Sequence, residues 1–224
     1  MEELKIIYED NHIIVIDKLP NVPVQADISN DKDIQTILKQ YLKDKYNKPG
    51  NVYLAIVHRL DRPVGGLMVL AKTSKAAARL SKQIREKTFI KTYYAVVQNN
   101  IANEGTLTDY LIKNKKDNIS YVTSKDKGKL AILNYKKVAT INNLSLLEIN
   151  LITGRSHQIR VQFSSRNNPL YADYKYNFSK TKDNIALFAK GLSFIHPTTK
   201  EKMIFDIPLP NRYPFTLFNN KTLH

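Results

Sequence analysis

The apolar residues of this 224-residue chain fall into short β-compatible runs broken by stretches of helical periodicity, and that pattern restricts the fold more than any single motif does. "KIIYEDNHIIVIDK" supplies two runs, Ile6 to Tyr8 and His12 to Asp17, joined at Asp10 and Asn11 as a hairpin requires. "GLMVLAK" and "TYYAVVQ" are two more. "LSLLEINLI" alternates Leu147, Ile149 and Leu151 against Glu148 and Asn150, the period of a half-buried strand. Helical spacing appears at Ile34, Ile37, Leu38, Tyr41 and Leu42, on a face that starts near Asp33, with Asn30 or Asp31 placed to cap it, and ends near Pro49 and Gly50. A second helix is expected in "TSKAAARLSKQIREK", with Thr73 or Ser74 as N-cap and Ala77, Leu80 and Ile84 on one face. "GRSHQIRVQFSSR" puts Ser156, Ile159, Arg160 and Phe163 on a third helical face. Strands outnumber helices and the two are mixed, so the expected class is α+β, built on a central mixed or mostly antiparallel sheet with flanking helices.

The length suffices to bury a core that offsets chain entropy without disulfides or a structural metal, and one domain over residues 1–224 is expected. Cysteine is absent, which removes thiol nucleophiles and thiolate metal sites, and the five scattered histidines show no ligand spacing, so no metal is expected. The balance of 35 basic against 20 acidic residues, a formal charge of +15, favours a polyanionic partner, with nucleic acid ahead of an anionic membrane. No apolar run reaches the roughly 20 residues needed to span a bilayer, and the N-terminus lacks a secretory pattern. A cytoplasmic protein, monomeric by default and without a membrane partner, is expected. Between Lys113 and Lys129 the chain turns polar and lysine-rich, as an exposed basic loop or ribbon would; it is either a solvated turn or a surface for phosphates.

In "VHRLDRPVGGLMVLAK" a lone carboxylate, Asp61, stands between Arg59 and Arg62 and runs into a glycine pair and an apolar strand. No P-loop, dinucleotide fingerprint, zinc-protease helix or nucleophile elbow accompanies it. An acid in a basic stretch is as a rule a salt-bridge residue. A second cluster, "TGRSHQIR" from Thr153 to Arg160, changes the balance, because a carboxylate that must stay ionised in a dry pocket needs a nearby charge that cannot deprotonate, and arginine supplies one.

These segments, with "KTYYAVV" and the C-terminal "LSFIHPTTKE…FDIPLP", resemble in order and spacing the motifs of the RluA-type RNA pseudouridine synthases, and "IIYEDNHIIVIDKLPNVPV" resembles that family's opening strand pair and lysine-proline turn. The resemblance spans about Ile6 to Pro210. It implies the pseudouridine synthase catalytic fold with a catalytic cleft, no cofactor, and a structured RNA substrate, ribosomal or transfer RNA. It also implies residue roles. Asp61 is the nucleophile, Arg59 fills the place of the flipped-out base, Tyr93 stacks on the uracil and serves in proton removal from C5, and Arg160 pairs with Asp61. Arg62, Arg155 and Ile159 complete the residues expected at the substrate, with Arg62 open to either a phosphate contact or an ion pair. His58 and His157 are expected to make structural hydrogen bonds.

Where family members read D-T-S-G after the H-R-L-D-R core, this chain has Pro63 to Gly66, and "PLYADYKY" carries Ala172 where the family has glycine. "LFAKGL" has Phe188 where a histidine is frequent. No S4-like RNA-binding module is expected ahead of the catalytic motifs. Two other readings are open to the same residues: a non-catalytic RNA-binding or RNA-chaperone protein of the same fold, and an aspartate-dependent glycosidase or nucleosidase, which needs a second placed carboxylate such as Glu148 or Asp173.

Overall fold

The computed structural model describes residues 4–27, 29–177 and 181–218. Along the chain run β1 (Lys5–Glu9), β2 (Ile13–Lys18), α1 (Ile34–Lys45), β3 (Ala55–Ile56), β4 (Gly65–Ala71), α2 (Ser74–Arg85), β5 (Ile90–Gln98), β6 (Glu104–Asn114), β7 (Ile119–Thr123), β8 (Lys129–Ile141), β9 (Leu144–Leu151), α3 (Gln158–Ser164), β10 (Leu187–Ile195) and β11 (Lys202–Asp206), with a closing 3₁₀ turn at Phe215–Phe218. Strands dominate and helices are few, the α+β composition expected. The chain forms two compact units: residues 1–90 with 191–207, and residues 91–190 with 208–224.

In the first unit β2 pairs antiparallel with β1 on one side and β4 on the other, and β3 adds to β4. The β1–β2 turn forms where Asp10 Oδ1 accepts the N–H groups of His12 and Ile13, each at 2.7 Å, an Asx turn that closes the hairpin. β4 is buried at every position, which explains its unbroken apolar sequence: both faces are covered, so no alternation is needed. Helix α1 buries Ile34, Leu38 and Leu42. Its N-cap is Asp33, whose Oδ1 accepts from Thr36 N–H at 3.0 Å. Asn30 and Asp31 lie outside the helix, and Asp31 is instead ion-paired to Arg62. Helix α2 starts at the expected Thr73 cap and buries Leu80, but the buried alanine is Ala76 rather than Ala77. A row of rings, His58–Phe89–Phe194–Phe205–Tyr8, with neighbouring centroids 5.2–5.9 Å apart, ties the segment before Asp61 to the core.

In the second unit the strand order is β5-β9-β8-β6-β7, each neighbouring pair antiparallel. Tyr93, Ile149 and Tyr135 stand opposite one another across β5, β9 and β8, and Tyr135 meets Phe163 of α3 edge-on at 5.5 Å, so α3 packs on the face that carries Tyr93. β9 buries four consecutive residues, Leu144 to Leu147, before its alternation begins. The basic segment 113–129 is the end of the β6–β7 hairpin, strand β7 and the turn into β8.

Candidate active site

Asp61 sits in the first unit, half-buried, in a turn closed by a 2.9 Å bond from Val64 N–H to its own carbonyl, directly ahead of β4. A second turn is bonded onto it. Arg62 carbonyl accepts from Asn21 N–H at 2.8 Å and from Lys18 Nζ at 3.1 Å, and Lys18 Nζ also donates to the carbonyls of Leu19 and Val22 at 2.8 Å each. Lys18 ends the buried strand β2 and is 1% exposed. Burial pushes its ammonium down to about 7, against the opposing pull of the Asp61 carboxylate. Gly65 fits here because a Cβ would lie 3.0 Å from Lys18 carbonyl oxygen and 3.2 Å from the Pro20 ring, and Gly66 adopts φ +114°. The glycine pair therefore lets the lysine-proline turn close onto the acid's loop.

Lys18 carries no site role in the sequence reading. The available signal was a charged residue ending an otherwise apolar strand, where a lysine needs acceptors supplied by neighbouring backbone.

The two arginines beside Asp61 diverge. Arg59 is exposed and makes no hydrogen bond or ion pair among the described residues. Of the two roles open to Arg62, the structure shows ion pairing: its guanidinium meets Asp27 at 3.3 Å, Asp31, Ser29 Oγ at 2.9 Å and Asn21 carbonyl at 3.1 Å. These contacts hold Asn21, Asp27, Ser29 and Asp31 against the Asp61 turn. His58 Nε2 accepts from Val69 N–H at 3.2 Å, a bond that fixes the approach to Asp61.

In the second unit Tyr93 is buried in β5 at 6% exposure, while Tyr94 points to the opposite face and donates to Glu148 Oε2 at 2.8 Å. Helix α3 begins without a side-chain cap, at His157 in the left-handed region with φ +54°. Its ring Nδ1 lies 2.8 Å from Tyr176 Oη, which also accepts from Ser120 N–H at 2.7 Å. Of the face expected from Ser156, Ile159, Arg160 and Phe163, the last three lie in α3 and are buried, while Ser156 precedes the helix and is half-buried; Gln158, Val161 and Gln162 are buried too, so α3 is enclosed rather than amphipathic. Arg155 is exposed, and its Nε donates to Leu130 carbonyl at 2.8 Å.

Arg160 clasps Asp173 through Nε–Oδ2 at 2.8 Å and Nη2–Oδ1 at 2.6 Å, with side-chain exposures of 4% and 0%. Asp173 Oδ1 also accepts Lys175 N–H at 3.2 Å. Both candidate second carboxylates are thus engaged, Asp173 by Arg160 and Glu148 by Tyr94. Neither offers an open oxygen pair of the kind a glycosidase needs.

Residues 12–165 match the family model described as RNA pseudouridylate synthase. The chain is 31% identical over 220 residues to ribosomal large subunit pseudouridine synthase D of Zymomonas mobilis, covering 92% of this chain and 69% of that protein. It is 34% identical over 214 residues to the uncharacterized RNA pseudouridine synthase YlyB of Bacillus subtilis, covering 93% and 70%. Among solved structures, human RNA pseudouridylate synthase domain containing 4 superposes with a TM-score of 0.77 at 21% identity, covering 92% of this chain and 89% of that one, a likeness of fold. The chain belongs to the RNA pseudouridine synthase family, isomerases that convert uridine in RNA to pseudouridine.

Proposed function

We propose that Asp61 is the nucleophile of this pseudouridine synthase and that its substrate is a structured RNA, with large-subunit ribosomal RNA ahead of transfer RNA, because relatives over most of the chain carry that name. The observation that carries the assignment is the construction around Asp61. A half-buried carboxylate is held in a turn whose backbone is fixed by Lys18 and Asn21, inside the segment matched to the family. A fixed carboxylate can attack C1′ and release uracil from N1, or take the 2′-proton and assist a glycal; in either route the ring turns, C5 bonds to C1′ and the C5 proton leaves. The uridine must be extruded for this, and Tyr93 stacks on it. Arg59, exposed and unengaged, takes the vacated place in the RNA. Arg160, which Asp173 holds, takes the role of partner to the Asp61 carboxylate that the family resemblance implies. The six exposed lysines 113, 115, 116, 125, 127 and 129, none ion-paired among the described residues, support an RNA-contacting surface in the second unit.

The test is carbodiimide labelling with reverse-transcription mapping of RNA from cells with and without the gene, paired with purified wild type and Asp61→Asn on unmodified transcripts. Loss of one or a few stops on deletion names the site. Asp61→Asn should give no product while binding RNA within a few-fold of wild type, since the change removes charge and little volume. Product from the variant at the wild-type rate overturns the assignment.

A further inference from the structure

Lys91 opens the second unit on β5, two residues before Tyr93, so the two side chains leave the same face of the strand, their Cα atoms roughly 7 Å apart. That face also carries α3, through Tyr135 and Phe163. The Lys91 ammonium lies 3.4 Å from where a Cβ on Gly154 would stand, beside the "TGR" turn that leads into α3. The side chain is partly buried, and among the described residues it makes no hydrogen bond and no ion pair. Burial lowers its pKa, with no carboxylate acting against the shift.

Among the described residues the other enclosed cations have acceptors: Lys18 has three carbonyls, Lys72 has Glu9, Arg160 has Asp173, and Arg212 has the carbonyls of Asn184 and Ile185. Desolvating an ammonium with nothing to receive its protons is unfavourable. A methionine would fill the same space without that cost, so the charge has no structural use that the folded chain displays. It is suited to an anion that arrives with a ligand.

We propose that Lys91 is a phosphate-binding residue, which grips a phosphodiester of the nucleotide stacked on Tyr93 and so sets how deeply the extruded base enters. The inference rests on the reading of Tyr93 as the stacking residue. It assigns Lys91 to positioning rather than to a proton transfer. Gly154, lacking a side chain, leaves the space beside the ammonium open to a phosphate oxygen.

The experiment compares wild type, Lys91→Met and Lys91→Arg as full chains, all with Asp61→Asn, binding a fluorescein-labelled 15-nucleotide oligouridylate by anisotropy across a salt series. Removing one contact to a single-stranded phosphate should flatten the slope of log Kd against log salt by about 0.7. Lys91→Met is expected to show that change, with affinity at low salt reduced about tenfold and a melting temperature at or above that of wild type. Lys91→Arg should keep the slope. A Met variant with the wild-type slope overturns the proposal, as does one whose affinity falls only in step with a falling melting temperature. Should Lys91→Met fail to fold, acetylation of wild-type Lys91 by a water-soluble acetylating reagent decides: the oligouridylate must shield it, and unaltered reactivity overturns the assignment. Isomerisation is measured separately in the Asp61 background. Wild type that binds through Lys91 yet forms no pseudouridine refutes the functional reading alone, and wild type that forms product with an unchanged Lys91→Met slope refutes this one alone.

Discussion

Asp173 holds Arg160 in a two-pronged ion pair, Nε to Oδ2 at 2.8 Å and Nη2 to Oδ1 at 2.6 Å, across 13 residues of chain and out of contact with solvent. Removing one partner of such a pair leaves the other's charge desolvated, at a cost of roughly 3 to 5 kcal/mol. Asp173→Asn should therefore lower the melting temperature by about 10 °C or more for a chain of this size. Arg160→Lys should fall similarly, because one ammonium cannot make two parallel bonds to a carboxylate. Thermal unfolding checks both, and a drop below about 2 °C in either would show that the pair does not hold the unit together.

Glu9 gathers four donors in the first unit: Lys72 Nζ at 2.7 Å, Lys45 Nζ at 2.8 Å, Tyr46 hydroxyl at 2.8 Å and Tyr41 hydroxyl at 3.0 Å. Burial would raise its pKa, but the hydrogen bonds outweigh burial and hold it down to about 2. A carboxyl whose folded pKa lies below its unfolded value stabilises the fold above the unfolded pKa, and that contribution disappears as pH falls through the folded one. Glu9→Gln should cost about 3 kcal/mol at pH 7, with the gap from wild type closing between about pH 4.5 and pH 2. Urea titrations at pH 7, 4 and 2.5 measure it, and a gap independent of pH contradicts the assignment.

Much of this architecture is legible in the sequence, and its gaps share one physical origin. Local signals worked: the Asp10 turn, the Thr73 cap and the strand of seven buried residues from Gly65 are each decided by neighbours in the chain. What sequence periodicity could not give were partners distant in sequence. The Arg62 carbonyl is a ligand to Lys18 from 44 residues away. Asp31 looks like a helix cap until Arg62 takes its carboxylate. The face assigned to α3 holds for Ile159, Arg160 and Phe163 but not for Ser156, which precedes the helix, and it is incomplete, since the seven-residue helix also buries its polar Gln158 and Gln162 through hydrogen bonds to Ile132 carbonyl and Asp109. The motif singles out Asp61, whereas Lys18, which fixes its turn, stands in the sequence only as part of a lysine-proline turn.

Ala172 adopts φ +57°, the left-handed region, at the position where the family has glycine. A Cβ is unfavourable there by about 1 to 2 kcal/mol, part of which the greater freedom of glycine in the unfolded chain offsets. Ala172→Gly should stabilise the protein by about 1 kcal/mol, a rise of roughly 2 to 4 °C in melting temperature, with isomerisation unchanged. A lower melting temperature would mean that the Ala172 methyl contributes more by packing than its backbone conformation costs.

Lys18 provides the sharpest test of how the Asp61 turn is held. Its ammonium is buried against the carbonyls of Leu19, Val22 and Arg62. Replacement by methionine leaves the Leu19 and Val22 carbonyls without a donor, each costing about 1 to 3 kcal/mol unless the turn opens to water, and leaves the Arg62 carbonyl to Asn21 N–H alone. Its folded pKa, about 7, lies below the value of about 10.4 for an unfolded lysine. Between those values the unfolded chain holds a proton that the folded chain has released, so the wild-type contribution grows as pH rises across the window and is least below pH 7. Lys18→Met should thus be less stable than wild type, by a margin that widens by on the order of 1 kcal/mol per pH unit from pH 7 to pH 9. Isomerisation should fall more than RNA binding does, because the Arg62 carbonyl and with it the Asp61 carboxylate lose their anchor. A stability gap that stays flat with pH would show an ammonium still in contact with water. Unaltered turnover in a folded variant would show that Asn21 alone is enough to hold the turn.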